Sequence, residues 1–160
     1  MFADIIAFFV YSYLGTTLES TSYFLTGGTY YYRLLNQITS AFPLYGIGAY
    51  SLIYINYFLM NMGLDKFSDI IQVIVKFFAF GLIASIIEYI TGKYFANAGR
   101  TNTPDCIIND WDYSNEKWNI EGIVSFEHFI MWGLLGLIVV FIHPYLMNFI
   151  NCGLNCSEKK

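Results

Sequence analysis

Five ionisable side chains stand inside long apolar runs of this chain: Glu19, Lys76, Glu88, Glu127 and His128. A charge at membrane depth is costly, so such groups normally face a bundle interior, a water-filled cavity or one another. The three carboxylates have the chemistry to bind a cation or exchange a proton. His128 adds an acid, base or hydrogen-bond partner near neutral pH. Lys76 lies towards the opposite membrane face and reads as a snorkelling side chain. Glu127 and His128 are adjacent, so on a helix they point about 100° apart and need not share a ligand. Ahead of them runs Trp111-Asp112-Tyr113-Ser114, a carboxylate between two rings.

Other chemistries fail on residue type or spacing. Asp110, Asp112, Ser114 and Glu121 fall at the first, third, fifth and twelfth positions of a calcium loop, but Asn115 stands where the turn needs Gly. One histidine among carboxylates is not a zinc set, and Cys106, Cys152 and Cys156 lack two-residue pairing. No metal and no cofactor is expected. There is no nucleophile elbow, phosphate-binding glycine loop or dinucleotide fingerprint, so this sequence does not power its own ATP-driven pump. His143, before Pro144, is expected at the interface near the far end of the last apolar run.

The elements that carry these residues follow from composition. Of 160 residues, 56% are hydrophobic, 20% aromatic and only 12% charged. A soluble domain carries about 25% charged residues, so the class indicated is an integral, multi-pass membrane protein. The net charge of −4 gives no basic stripe, and no nucleic-acid partner is expected. A spanning helix needs about 20 apolar residues. The fold expected is all-α, a polytopic membrane bundle forming a single domain over 1–160. Its four transmembrane helices cover roughly 2–25, 43–62, 70–95 and 122–150, with a polar loop at 96–121 between helices three and four. The first apolar run has no preceding Lys or Arg and no small-residue cleavage site, and reads as a retained helix. Loop charges barely favour one orientation; the basic C-terminus puts both termini in the cytosol.

Connectivity predicts where the polar groups meet. Helices one and three run one way, two and four the other, so the first and third loops share a membrane face. Glu19 lies about five residues, or about 8 Å, past the middle of helix one towards that face. Glu88 lies similarly in helix three. Glu127 and His128 sit just inside helix four, and Tyr45 opens helix two. The expectation is one acidic cavity in one leaflet, lined by Glu19, Tyr45, Glu88, Glu127 and His128. Trp111, Asp112 and Tyr113 would form an ordered cap over it, with Asp112 accepting from the start of helix four around 122–125. Gly46, Gly48, Gly133 and Gly136 are expected to admit close helix contacts.

These residues also carry a family resemblance. Tyr11-Ser12-Tyr13-Leu14-Gly15 with Glu19 resembles the first-helix motif of the bacterial family labelled putative ABC-transporter type IV. Thr16 stands where that motif usually has Trp. Pro43-Leu44-Tyr45-Gly46-Ile47-Gly48 and Glu88-Tyr89-Ile90-Thr91-Gly92 resemble its second and third segments. Trp111-Asp112-Tyr113-Ser114, continuing to Gly122-Ile123, Glu127 and Trp132-Gly133, is also similar to the eukaryotic transmembrane protein 229 family. Asn109-Asp110 and the longer 115–121 stretch depart from the pattern. The resemblance implies a four-helix membrane protein and gives weight to Glu19, Glu88, Asp112 and Glu127; it implies no reaction.

The function expected is transport or binding of a small polar or cationic solute at the acidic cavity. Its partners would be the lipid bilayer and a second copy or another membrane subunit. A lipid-headgroup enzyme is the alternative, with Glu127 or Glu88 as base, His128 as acid and Asp112 holding a metal or headgroup. A structural or assembly factor without small-molecule activity is the other.

Overall fold

The computed structural model describes residues 2–25, 42–93 and 113–157. They form four helices and, among the described residues, no strand: α1 (Phe2–Leu25), α2 (Phe42–Asn61), α3 (Asp69–Thr91) and α4 (Phe126–Ser157), with a 3-10 turn at Leu64–Lys66. Gly63 enters that turn at φ 96, a left-handed conformation that costs glycine nothing. The expected helix ends hold for α1 and lie one residue late for α2; α3 starts one residue before the expected 70, and its expected end at 95 lies outside the described residues.

Two boundaries are corrected. α4 begins at Phe126, not near residue 122, because residues 113–125 fold into a compact turn of their own. There Tyr113 N–H donates to the Gly122 carbonyl at 2.8 Å, and Ile120 N–H to Val124 at 2.8 Å. Gly122 has φ 67, and a Cβ there would lie 3.3 Å from Ser114 Cβ, so the helix cannot start through it. Ser125 caps the helix: its Oγ accepts from His128 N–H at 3.3 Å. At the other end α4 runs on past residue 150, through Pro144, to Ser157. Proline costs a helix one backbone bond, but neighbouring packing can carry the helix through it.

The chain divides into two units, residues 1–53 with 139–160, and residues 54–138. In the first, Ala3, Ala7 and Tyr11 recur every fourth residue along α1, so they share one face. They pack with Ala49 and Ile53 of α2 and Ile150 of α4. Small residues bring the backbones together: a Cβ on Gly46 would lie 2.4 Å from Ser12 Oγ, and one on Gly15 2.5 Å from the Tyr45 ring. Gly48 is different: among the described residues nothing lies within 4 Å of the Cβ position, so it makes none of the expected close contact with them.

In the second unit α3 packs on α4 through reciprocal glycine contacts. Gly81 meets Phe129, Gly133 meets Phe77, and Gly136 meets Phe80, which is fully buried. The Phe77, Phe78 and Phe129 rings close the same seam at centroid distances from 5.4 to 6.2 Å. The other faces are apolar and exposed: Ile70, Ile74, Leu82 and Ile86 on α3, and Leu134, Ile138, Phe141 and Phe149 on α4. α3 and α4 are the described helices long and apolar enough to cross a membrane, and only 17% of either apolar stretch is buried. The core helix of a soluble protein would be mostly covered; these present hydrocarbon outward, as lipid contact requires.

Candidate functional site

Glu88 comes one turn before the end of α3 and is 5% exposed. A buried carboxylate needs hydrogen bonds to offset lost hydration. Trp132 and Tyr113 are among the side chains that supply them. The Trp132 indole N–H of α4 donates to Glu88 Oε2 at 2.9 Å, and the Tyr113 hydroxyl donates to Oε1 at 3.1 Å. Each bond to a charged acceptor contributes about 1.5–3 kcal/mol. Both bonds orient the carboxylate towards α4 and the turn that precedes it.

Tyr113 ties this carboxylate to a second polar group. Its ring stacks on His128, with centroids 3.9 Å apart and planes inclined by 24°. His128 Nδ1 lies 2.9 Å from Ser125 Oγ and 3.3 Å from Glu116 Oε2. Ser125 Oγ is also hydrogen bonded to the Glu116 carboxylate. A hydroxyl has one proton. If Ser125 gives it to Glu116, the network assigns a proton to His128 Nδ1, shared between Ser125 and Glu116. A serine nucleophile needs the opposite, an unprotonated ring nitrogen facing the hydroxyl. In that arrangement the three residues act as a helix cap: Ser125 holds the first turn of α4, and Glu116 places negative charge at its positive end.

The rest of the turn is pinned at its outer edge. Asn119 Oδ1 accepts from Gly122 N–H at 3.0 Å, and its Nδ2 donates to the Glu116 carbonyl at 2.7 Å. Trp118 and Glu121 adopt left-handed backbone, with φ 59 and 54. Lys93 Nζ, just past α3, pairs with Glu121 Oε2 at 3.1 Å and donates to the Tyr89 hydroxyl at 2.8 Å, while Tyr89 donates to Glu121 at 3.0 Å. Lys93 and then Tyr89 hold the Glu121 carboxyl below the usual carboxylate range. The same contacts, Tyr89 first, raise the Lys93 ammonium above its usual value.

Of the residues singled out in the sequence, Glu88, Tyr113 and His128 come together. Tyr45 and Glu19 belong to the first unit, Tyr45 with its ring over Gly15 and Glu19 half-buried on α1. Glu127 lies in the first turn of α4, exposed, with no side-chain hydrogen bond among the described residues. Trp111 and Asp112 lie outside the described residues. His143 is corrected: it is 8% exposed rather than interfacial, with Tyr11 against it. Sequence reasoning missed Trp132, Ser125 and Glu116 as members of the cluster. Trp132 carried a signal, since an indole N–H in an apolar helix needs an acceptor. Among the described residues no group of three His, Cys, Asp or Glu side chains could hold a metal ion.

A sequence model of the family described as Putative ABC-transporter type IV matches residues 6–155. The chain belongs to this family. The match takes in all four helices and the turn at 113–125, so the Glu88 cluster falls within the family's span. No curated protein and no solved structure matches the chain. With two helices able to cross a bilayer, the family label is consistent with a membrane protein and a transport role.

Proposed function

We propose that all four helices cross the bilayer and that the chain binds or moves a small cationic solute, with Glu88 as the acidic group that meets it. One observation carries this reading. A carboxylate 5% exposed, on a helix whose other faces are hydrocarbon, accepts hydrogen bonds from Trp132 of α4 and from Tyr113 of the turn that precedes it. Intramembrane carboxylates placed this way serve cation and proton pathways. A solute cation would displace the Tyr113 hydroxyl or bind beside it, and the turn at 113–125 is the element that would move.

Four crossings are supported by length and by local chemistry. α1 has 24 residues and α2 has 20, enough for about 36 and 30 Å. Their Ser and Thr lower their hydropathy, but the Thr16, Thr17 and Thr21 hydroxyls donate to carbonyls four residues back at 2.9, 2.8 and 2.7 Å. Ser51 does the same on α2 at 2.8 Å. Hydroxyls satisfied within their own helix cost less in lipid than their residue type suggests. Four helices are few for an alternating-access path, so a second copy or another membrane subunit completes it in this reading. ATP-driven movement would need a separate nucleotide-binding subunit.

The test is flux in proteoliposomes. Reconstituted protein should carry proton-coupled flux of one or more members of a panel of cationic solutes, and Glu88→Gln should reduce it at least tenfold. Unchanged flux in Glu88→Gln, or in Glu19, Glu88 and Glu127 changed together to Gln, would refute the assignment.

A further inference from the structure

The first unit holds its own buried titratable group. His143 lies within α4 and is 8% exposed. Its Nδ1 is 3.2 Å from the Tyr11 hydroxyl of α1. Its ring centroid is 6.0 Å from that of Tyr11, at 32°, and 6.0 Å from that of Tyr50 of α2, at 78°. The two tyrosine rings are 6.4 Å apart, so one polar-tipped ring from each of three helices meets at a single buried place. Tyr50 is fixed from the other side, its hydroxyl donating to the Asp4 carbonyl at 2.7 Å. The charge of Asp4 also acts on His143. Neither α2 nor the described part of α4 in this unit contains Asp, Glu, Lys or Arg. Among the described residues, Asp4, Tyr11 and Tyr50 are thus the titratable groups that face the imidazole.

Packing alone does not call for this arrangement, because a phenylalanine would fill the space without a polar atom to satisfy. The Tyr11–His143 bond has a property that packing does not use. With a neutral imidazole, Tyr11 O–H donates to Nδ1. After protonation Nδ1–H donates to the tyrosine oxygen, and the hydroxyl hydrogen rotates away. The bond survives in both states. We infer that His143, with Tyr11 and Tyr50, is a proton-binding site in the first unit, distinct from the Glu88 carboxylate and independent of any solute bound there. One proton enters at Nδ1 from water and leaves the same way.

The chain has two histidines, which makes the test direct. The full chain, labelled with 15N-histidine in lipid nanodiscs, is followed by NMR as pH falls from about 8 to about 4, a range that brackets imidazole titration. His128→Gln assigns the two signals. The ring nitrogens of His143 should move reversibly from neutral to imidazolium values. Tyr11→Phe, which removes the bond but keeps the ring, should shift the midpoint by about 0.5–1 pH unit. A His143 signal that keeps one neutral tautomer over the whole range overturns the inference, as does a midpoint that Tyr11→Phe leaves unmoved. Neither result bears on flux through Glu88.

Discussion

Alanine at Gly133 and alanine at Gly48 should change stability in opposite directions, although the chemical change is the same. A Cβ at Gly133 would sit 2.7 Å from two Phe77 ring atoms and 2.9 Å from the Phe77 carbonyl oxygen. Ordinary carbon contacts lie at about 3.5–4.0 Å, so about an ångström must be found. The ring can turn, but the carbonyl belongs to the α3 backbone and moves only if the helices separate. Overpacking of this kind costs about 1–3 kcal/mol, and the backbone contact puts Gly133 in the upper half of that range. Alanine regains about 1 kcal/mol of helix propensity, which leaves a net loss of about 1–2 kcal/mol. At Gly48 nothing among the described residues lies within 4 Å, so only the propensity remains, a gain of about 0.5–1 kcal/mol. Equilibrium unfolding in mixed micelles, read by circular dichroism, measures both. A Gly133→Ala protein as stable as the parent would refute the close α3–α4 seam. A Gly48→Ala protein that loses 1 kcal/mol or more would show that something covers Gly48.

Three further outcomes follow from the cluster. Tyr113→Phe and Trp132→Phe should each destabilise by about 1–3 kcal/mol, and the double variant should lose less than the sum, because both act on Glu88; a double-mutant cycle by unfolding checks this. Ser125→Ala should cost about 1 kcal/mol through loss of the α4 cap, and should speed amide exchange at His128 and Phe129, read by hydrogen–deuterium exchange. The Lys93–Glu121 pair should steady the turn only in a middle pH window. Glu121 is held below its ordinary 4.5, so its contribution is present above that value and fades as acid protonates the folded carboxyl. Lys93 is held above its ordinary 10.5, so its contribution is present below that value and fades in stronger base. Trp118 fluorescence should follow that window in the parent protein, and Glu121→Gln should flatten it.

Much of the helical frame was legible because apolar runs of spanning length are set by composition alone. The limits of α4 were not. Residues 122–125 are as apolar as a helix start, and only the φ of Gly122 and the Ile120–Val124 bridge show that they close a turn instead. Glu88 could be singled out as a carboxylate in an apolar run, but its partners Tyr113 and Trp132 are 25 and 44 residues away, and pairing at that separation leaves no local pattern. Glu127 and His128 were both expected to line the cavity although they point about 100° apart; helix phase gives His128 to Ser125 and Glu116 and leaves Glu127 exposed. His143 was placed at the interface by its position late in the apolar run; its partner Tyr11 is 132 residues away, and pairing at that separation leaves no local pattern.

The account rests on Glu88 meeting a cation, and infrared difference spectroscopy of the protein in hydrated lipid films observes that carboxyl group itself. Spectra are recorded with and without each cationic solute of the flux panel, for the parent and for Glu88→Gln. The account predicts a solute-induced carboxyl band that shifts with glutamate 13C labelling and is lost in Glu88→Gln, with a changed Tyr113 ring mode beside it. A solute-induced carboxyl band that persists unchanged in Glu88→Gln would contradict it.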